Sequence, residues 1–275
     1  MRSVKSFIAA GAATLLSQAA FAADMAIAPP PYAPPVVEDF GGWYLRGDIG
    51  FSNQRVDRLN NRLDANNTSS VQNNNFNTAG IFGLGVGYRV NNWFRADVTG
   101  EYRGNSQFFG TDRISYVGGV GTDTYHATKN EWVVLANAYV DLGTWWCITP
   151  FIGAGVGGAR VAINGFTDQG IALNGGVGPA LPGLAFGDNA STWNFAWAAH
   201  AGLAYKVSQN FTVELAYRYL DMGTAITGGG STFDGTRSTR AFEFHDLTSH
   251  DLKLGVRWTC CDVPAPAPAP LIRKG

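Results

Sequence analysis

Apolar and polar residues alternate with period two through most of the chain, the signature of strands with one apolar face rather than of helices. In GGWYLRGDIGFS, Trp43, Leu45, Gly47, Ile49 and Phe51 share one face, while Tyr44, Arg46, Asp48, Gly50 and Ser52 share the other. GIFGLGVGYRV sets Phe82, Leu84, Val86 and Tyr88 against a row of glycines, and WFRADVTGEYRG alternates Phe94, Ala96, Val98, Gly100 and Tyr102 with Arg95, Asp97, Thr99, Glu101 and Arg103. The same period runs through NEWVVLANAYVDL, TPFIGAGVGGARVAI, TWNFAWAAHAGLAYKV, NFTVELAYRYLDM and TSHDLKLGVRW. Together these segments predict eight strands, an even number that suits a closed antiparallel barrel. The fifth breaks the pattern: Arg160 shares parity with Ile152 and Val156, so it lies either beyond the apolar band or past a bulge that shifts the register.

The connections alternate in length. Residues 53–77, 104–129, 163–192 and 223–247 read as long loops rich in Asn, Gly, Ser and Thr, whereas 91–92, 143–149 and 208–210 are short. A transmembrane barrel segregates its connections in this way, long loops outside and short turns in the periplasm.

Alternation alone does not say which face points outward, since a soluble barrel is apolar inside and a membrane barrel the reverse. Three features favour the reverse. The polar faces carry nearly balanced charge: Arg46, Arg95, Arg103, Lys206, Arg218, Lys253 and Arg257 against Asp48, Asp97, Glu101, Asp141, Glu214 and Asp251, a set able to pair across a lumen. Aromatic residues gather beside the short turns, Trp43, Tyr88, Trp93, Trp145, Trp146, Tyr205, Phe211 and Trp258, as rings at the headgroup level do. Small residues on the polar faces (Gly83, Gly85, Gly87, Ala196, Ala198 and Ala204) leave room for long charged chains inside a narrow barrel.

Composition sharpens this picture. Charged residues are 15% of the chain, against about 25% in ordinary globular proteins. The 35 glycines are nearly twice the usual share of about 7%, yet aromatics at 13% argue for a folded body. The start, MRSVKSFIAAGAATLLSQAAFA, has two basic residues, a short apolar core and a small-x-small site, so residues 1–22 read as a secretory signal peptide. Residues 23–40 read as a proline-rich periplasmic spacer, 41–259 as the barrel, and 260–275 as a proline-rich periplasmic tail. The mature chain holds 18 basic against 21 acidic residues, a net of −3, which gives no electrostatic footprint for nucleic acid.

Catalytic and cofactor motifs are weak. GAGVGG at 153–158 matches a dinucleotide fingerprint but lacks the following helix and the acidic residue about twenty positions on. His200 shares inward parity with Lys206, while His126, His245 and His250 fall in or beside outer loops, without metal-ligand spacing. No strand carries a His-x-Ser unit. We therefore expect no enzyme, no cofactor and no metal.

FGGWYLRGDIG, TPFIGAGVGGAR, AAHAGLAYKVSQNFTVELAYRYLDMG and HDLKLGVRW resemble the small outer-membrane β-barrel proteins of alphaproteobacteria. These are OmpA-like or opacity-type members of the porin family, known as surface antigens in rhizobia and brucellae. The resemblance implies an eight-stranded antiparallel transmembrane β-barrel in the outer membrane of a Gram-negative cell. It also implies recognition by the outer-membrane assembly machinery through an aromatic strand end, here Trp258 rather than the last residue. The expected role is a structural surface barrel contributing to envelope integrity and surface interaction. A small passive channel and an adhesin-like module acting through the outer loops are the alternatives. The expected partners are outer-membrane lipid and lipopolysaccharide, with host, phage or peptidoglycan contact as further candidates. With strand one running outward, Cys147 and the pair Cys260 and Cys261 fall on the oxidising periplasmic side, so a disulfide from Cys147 to one of the pair is expected.

Overall fold

The computed structural model describes residues 42–56, 58–61, 68–174, 179–239 and 242–260. The expected signal peptide and proline-rich spacer lie outside the described residues, as does the tail after Cys260.

Eight of the alternating segments form long strands: β1 Gly42–Arg55, β2 Ala79–Arg89, β3 Phe94–Tyr116, β4 Gly119–Asp141, β5 Ile148–Asn174, β6 Ala190–Lys206, β7 Phe211–Asp221 and β8 Thr248–Cys260. Each pairs antiparallel with the next, and β8 returns to β1 from Trp43↔Cys260 to Arg55↔Thr248. The ring therefore has no free edge within the wall, the condition a sheet must meet in hydrocarbon, where no water satisfies an open N–H or C=O. Side chains alternate as the sequence requires. Leu45, Ile49, Leu84, Val86, Val98, Val134, Ile152, Leu215, Leu252 and Val256 are exposed on the outer surface, and the charged set points inward.

Glycines let the wall close around that charged set. A Cβ on Gly87 would stand 2.3 Å from Cζ of Tyr44, and one on Gly83 would stand 2.9 Å from Cγ of Glu101. The glycine row of β2 is thus the space that inward side chains of β1 and β3 occupy.

The long connections differ from the expectation. β3 and β4 are each 23 residues and β5 is 27, far beyond the about 9–11 that cross a membrane. Most of 104–129 is consequently a continuous hairpin, turning at Gly118 with φ 97°, and 163–174 continues β5. Thr68–Phe76 pairs with β3, Leu181–Gly187 with β5 and Gly230–Thr232 with Leu181–Gly187, widening this outer sheet. Asn and Gly are poor strand formers in isolation, but strand preference depends on neighbours, and these residues extend ladders already set within the wall. Bulges at Arg103/Ser106 and His126/Thr128 mark where the outer sheet departs from the barrel register.

A second, small sheet joins Ala225–Ile226, Phe242–His245 and Arg58–Asn61. Its Leu59, Phe242 and Phe244 pack with Phe76, Phe108, Tyr125, Phe166, Met222 and Leu247, above Val133, Leu135, Val161 and Leu220 of the wall. This apolar core fills the outer end of the barrel.

Candidate functional site

Among the described residues the lumen concentrates the charged side chains. Inward positions of the strands bring together seven cations (Arg46, Arg95, Arg103, Lys129, Arg218, Lys253 and Arg257) and seven anions (Asp48, Asp97, Glu101, Glu131, Asp141, Glu214 and Asp251). Arg218 sits at the centre. Its fork donates to both oxygens of Glu101 at 2.9 and 2.6 Å, and Nε and Nη2 donate to Asp251 Oδ2 at 2.9 and 2.7 Å. Arg103 holds the other side of Asp251 at 3.0 and 2.8 Å and faces Glu131 at 2.9 Å. Lys253 bridges Glu101 to Asp48, 3.4 Å from the latter.

Toward the short-turn end, Arg46 donates to Asp48, Asp97 and the Tyr139 hydroxyl at 2.8–3.0 Å. Arg95 lies over the rings of Tyr139 and Phe151 at 4.2 and 4.6 Å and pairs with Asp141 at 3.2 Å and Glu214 at 3.3 Å. Arg257 meets Glu214 at 3.1 Å. Asn137 donates to Asp97 and Thr99, and its carbonyl oxygen lies 3.2 Å from Nε2 of the buried His200. Bidentate arginine forks hold fixed geometry, so this is a rigid set rather than a solvated one.

Twelve of the thirteen charges expected in the lumen belong to this network. Lys206 does not. It is exposed at the short-turn end, where with Arg89, Asp141, Arg257 and Tyr44 it lines an open vestibule of about 520 Å³. The register explains the difference: Lys206 is the last residue of β6, level with Cys147 in the turn. Conversely, Lys129 and Glu131 join the network although they were not anticipated. They share parity with Asn137, Tyr139 and Asp141, but Val133 and Leu135 occupy the inward positions between, and so the charged face of β4 is interrupted. Lys129 lies 4.0 Å from the Phe76 ring centre and 2.5 Å from Glu131, where charged layer meets apolar cap.

The eight aromatics expected at the short-turn boundary all face outward and are exposed, with Trp43 and Tyr88 in edge contact at 5.3 Å. A second group of aromatics, not read in the sequence, stands on the outward files toward the other end of β3, β4, β6 and β7: Tyr102, Trp132, Trp193, Trp197 and Tyr219. Arg160 lies level with it, paired between Trp132 and Trp193, so the odd residue of the fifth strand sits at the upper boundary and below the bulge. Of the histidines, His245 connects Glu243 at 3.2 Å to Thr224 at 3.5 Å, tying the cap sheet to the mouth, and His250 bonds the Tyr217 hydroxyl at 2.6 Å. Among the described residues no group of His, Cys, Asp and Glu is placed to hold a metal ion.

Cys147 is exposed with its thiol free, and its carbonyl accepts from the Lys206 amide at 3.0 Å. The strands β6 and β7 stand between it and β8. Three strand spacings amount to about 14 Å along the wall. A disulfide needs Cα atoms closer than about 7 Å. Cys260, held opposite Trp43, is therefore out of reach, and Cys261 lies outside the described residues.

Residues 8–259 match the family model described as outer membrane protein beta-barrel domain. The chain is 32% identical over 231 residues to an uncharacterized protein of Brucella suis, covering 78% of each chain. It is 26% identical over 220 residues to a Rickettsia bellii protein with a provisional adhesin description, covering 78% of this chain and 87% of that one. Among solved structures it is similar to the outer membrane protein OprG of Pseudomonas aeruginosa, with a TM-score of 0.42 and 11% identity over 81% of this chain and 98% of that one.

Two outcomes test the geometry. Replacing Arg218 with Met strips both Glu101 and Asp251 of their shared partner, and the buried charge left behind costs about 3–5 kcal/mol, to be read as a lowered urea midpoint of the barrel refolded in lipid vesicles. We propose that Cys147 is not bridged to Cys260 within one barrel. Peptide mass mapping without reductant on protein isolated from the envelope is expected to recover no Cys147–Cys260 pair, and finding that pair would refute the three-strand separation.

Proposed function

The chain belongs to the outer membrane protein beta-barrel family, and from that premise we propose that it is a closed surface barrel of the outer membrane, stabilising the envelope rather than conducting solutes. The observation that carries this reading is that the lumen is filled twice over. Fourteen paired charges occupy the lower and middle levels, and an apolar core with Phe166 and Phe242 4.2 Å apart occupies the outer end. A hydrated ion entering from the vestibule meets fixed ion pairs and then a layer offering no replacement for its hydration shell. Eight strands leave an interior just wide enough for side chains, which agrees with this filling.

In planar bilayers the purified protein is expected to give no steady current above background. Reproducible ion-selective steps would restore the channel reading.

The outer sheet supports a second role, as an interaction surface. It carries Val117 at its tip, together with Phe109, Ile171, Leu181, Phe186 and Phe233, all exposed, and apolar side chains presented so far from the wall fit a protein partner. The Rickettsia relative with an adhesin description agrees with this reading. Replacing residues 111–124, which begin and end on the pair Thr111↔Thr124, with a short turn shortens the hairpin while keeping the wall and the core residues Phe108 and Tyr125. The variant is expected to keep heat-modifiable migration on gels and lose most host-cell attachment relative to the full chain; undiminished attachment would discard the interaction role.

A further inference from the structure

Among the described residues the outward files of the wall carry few charges, and those that they carry, Arg55, Arg160 and Asp221, stand toward the upper strand ends. Between the lower aromatic ring and the upper aromatic group the outward strand positions among the described residues are uncharged, and Arg160 stands at the upper boundary in the same outward file as Ile152 and Val156. Its height follows from strand geometry. Arg160 is twelve residues past Ile148, the first of β5. That is about 40 Å of strand, or about 30 Å along the membrane normal at a tilt of roughly 40°, just past an apolar band about 25 Å tall.

The side chain is turned away from hydrocarbon. Its Nη2 donates to Ser191 Oγ at 3.0 Å, and Ser191 pairs opposite Ala162, one outward row farther from the periplasm. Trp193, paired opposite Arg160, lies over Gly158, where a Cβ would stand 3.6 Å from the ring. On the other side Trp132 stands 5.1 Å from Tyr102. Both tryptophans are more than half uncovered or close to it, at 63% and 50%. Among the described residues the Ser191 hydroxyl is the one polar partner of the guanidinium, leaving most of its donors open.

An arginine just past the apolar band, with no carboxylate beside it among the described residues, has most of its donors free to meet an anion at the headgroup level. The anion available at that level is the phosphate of a lipid headgroup. We propose that Arg160, the Ser191 hydroxyl and the flanking Trp132 and Trp193 indoles form a site for the phosphate of an outer-leaflet lipid. The planar guanidinium suits bidentate contact with phosphate oxygens. The indole rings hold the headgroup boundary. Val156 and Phe195 below offer apolar surface to the acyl chain.

The test uses the full barrel in an uncharged maltoside detergent with 15N-labelled arginine, the Arg160 Nε–H signal being identified by its loss in Arg160→Gln. Bisphosphorylated lipid A, phosphatidylglycerol and inorganic phosphate are titrated in separate arms. The expected result is a saturable shift of that signal by lipid. Lipid occupancy in native mass spectra should fall about tenfold in Arg160→Gln, the scale of one lost charge-assisted contact, and be restored only in part in Arg160→Lys, which keeps the charge but not the bidentate fork. A response to lipid A alone assigns the site to that lipid, and an equal response to phosphatidylglycerol assigns it to phospholipids generally. No shift with either lipid, an equal shift with inorganic phosphate, or unchanged occupancy in a heat-modifiable Arg160→Gln barrel would overturn the proposal.

Discussion

Hydrocarbon offers no partner to an open peptide group, and this single constraint governs the rest of the molecule. It forces the strands into a closed ring, with β8 returning to β1. Closure at eight strands fixes a narrow interior. A narrow interior lined by charged strand faces is tenable only when the charges neutralise one another, hence the seven-to-seven balance and the arginine forks that bind carboxylates from different strands. Glycines on β2 follow from the same constraint, because Tyr44 and Glu101 need the volume that Cβ atoms would take.

What was legible in the chain was whatever repeats with period two. The eight wall strands, their inward charges and the lower aromatic ring are set by local alternation against lipid, and Arg46, Asp97, Glu101 and Arg218 could be placed without knowing any partner. What was not legible depends on contacts between distant segments. Thr68–Phe76 and Leu181–Gly187 have loop composition and become strands only because β3 and β5 present paired edges. Lys129 and Glu131 are hidden by the apolar inward residues Val133 and Leu135, which belong to a cap contributed by chain near residues 59 and 244. Lys206 shares the parity of the lumen set but stands at a strand end, a distinction of height rather than of face. Cys147 and Cys260 share a side of the membrane, yet same-side placement says nothing about position around the ring.

The two fillings of the lumen have different physics. The charged layer is directional, and each fork admits few alternatives. The apolar cap is held by area and shape, with ring contacts running from Phe108 to Phe244, Phe166 and Phe242 in turn. Stacking them in series makes the outer end dry and the inner end polar, so the barrel is asymmetric along its axis although its wall is not.

The seam between β1 and β8 joins segments about two hundred residues apart in the chain, and its inward residues Arg46, Asp48, Asp251, Lys253 and Arg257 are members of the ion network. An open barrel would leave these charges without their cross-strand partners at the moment its edges are also unpaired. Zipping the seam and neutralising the interior are therefore one event, which makes the last step of assembly all-or-none and leaves little room for a stable, partly closed intermediate in the membrane.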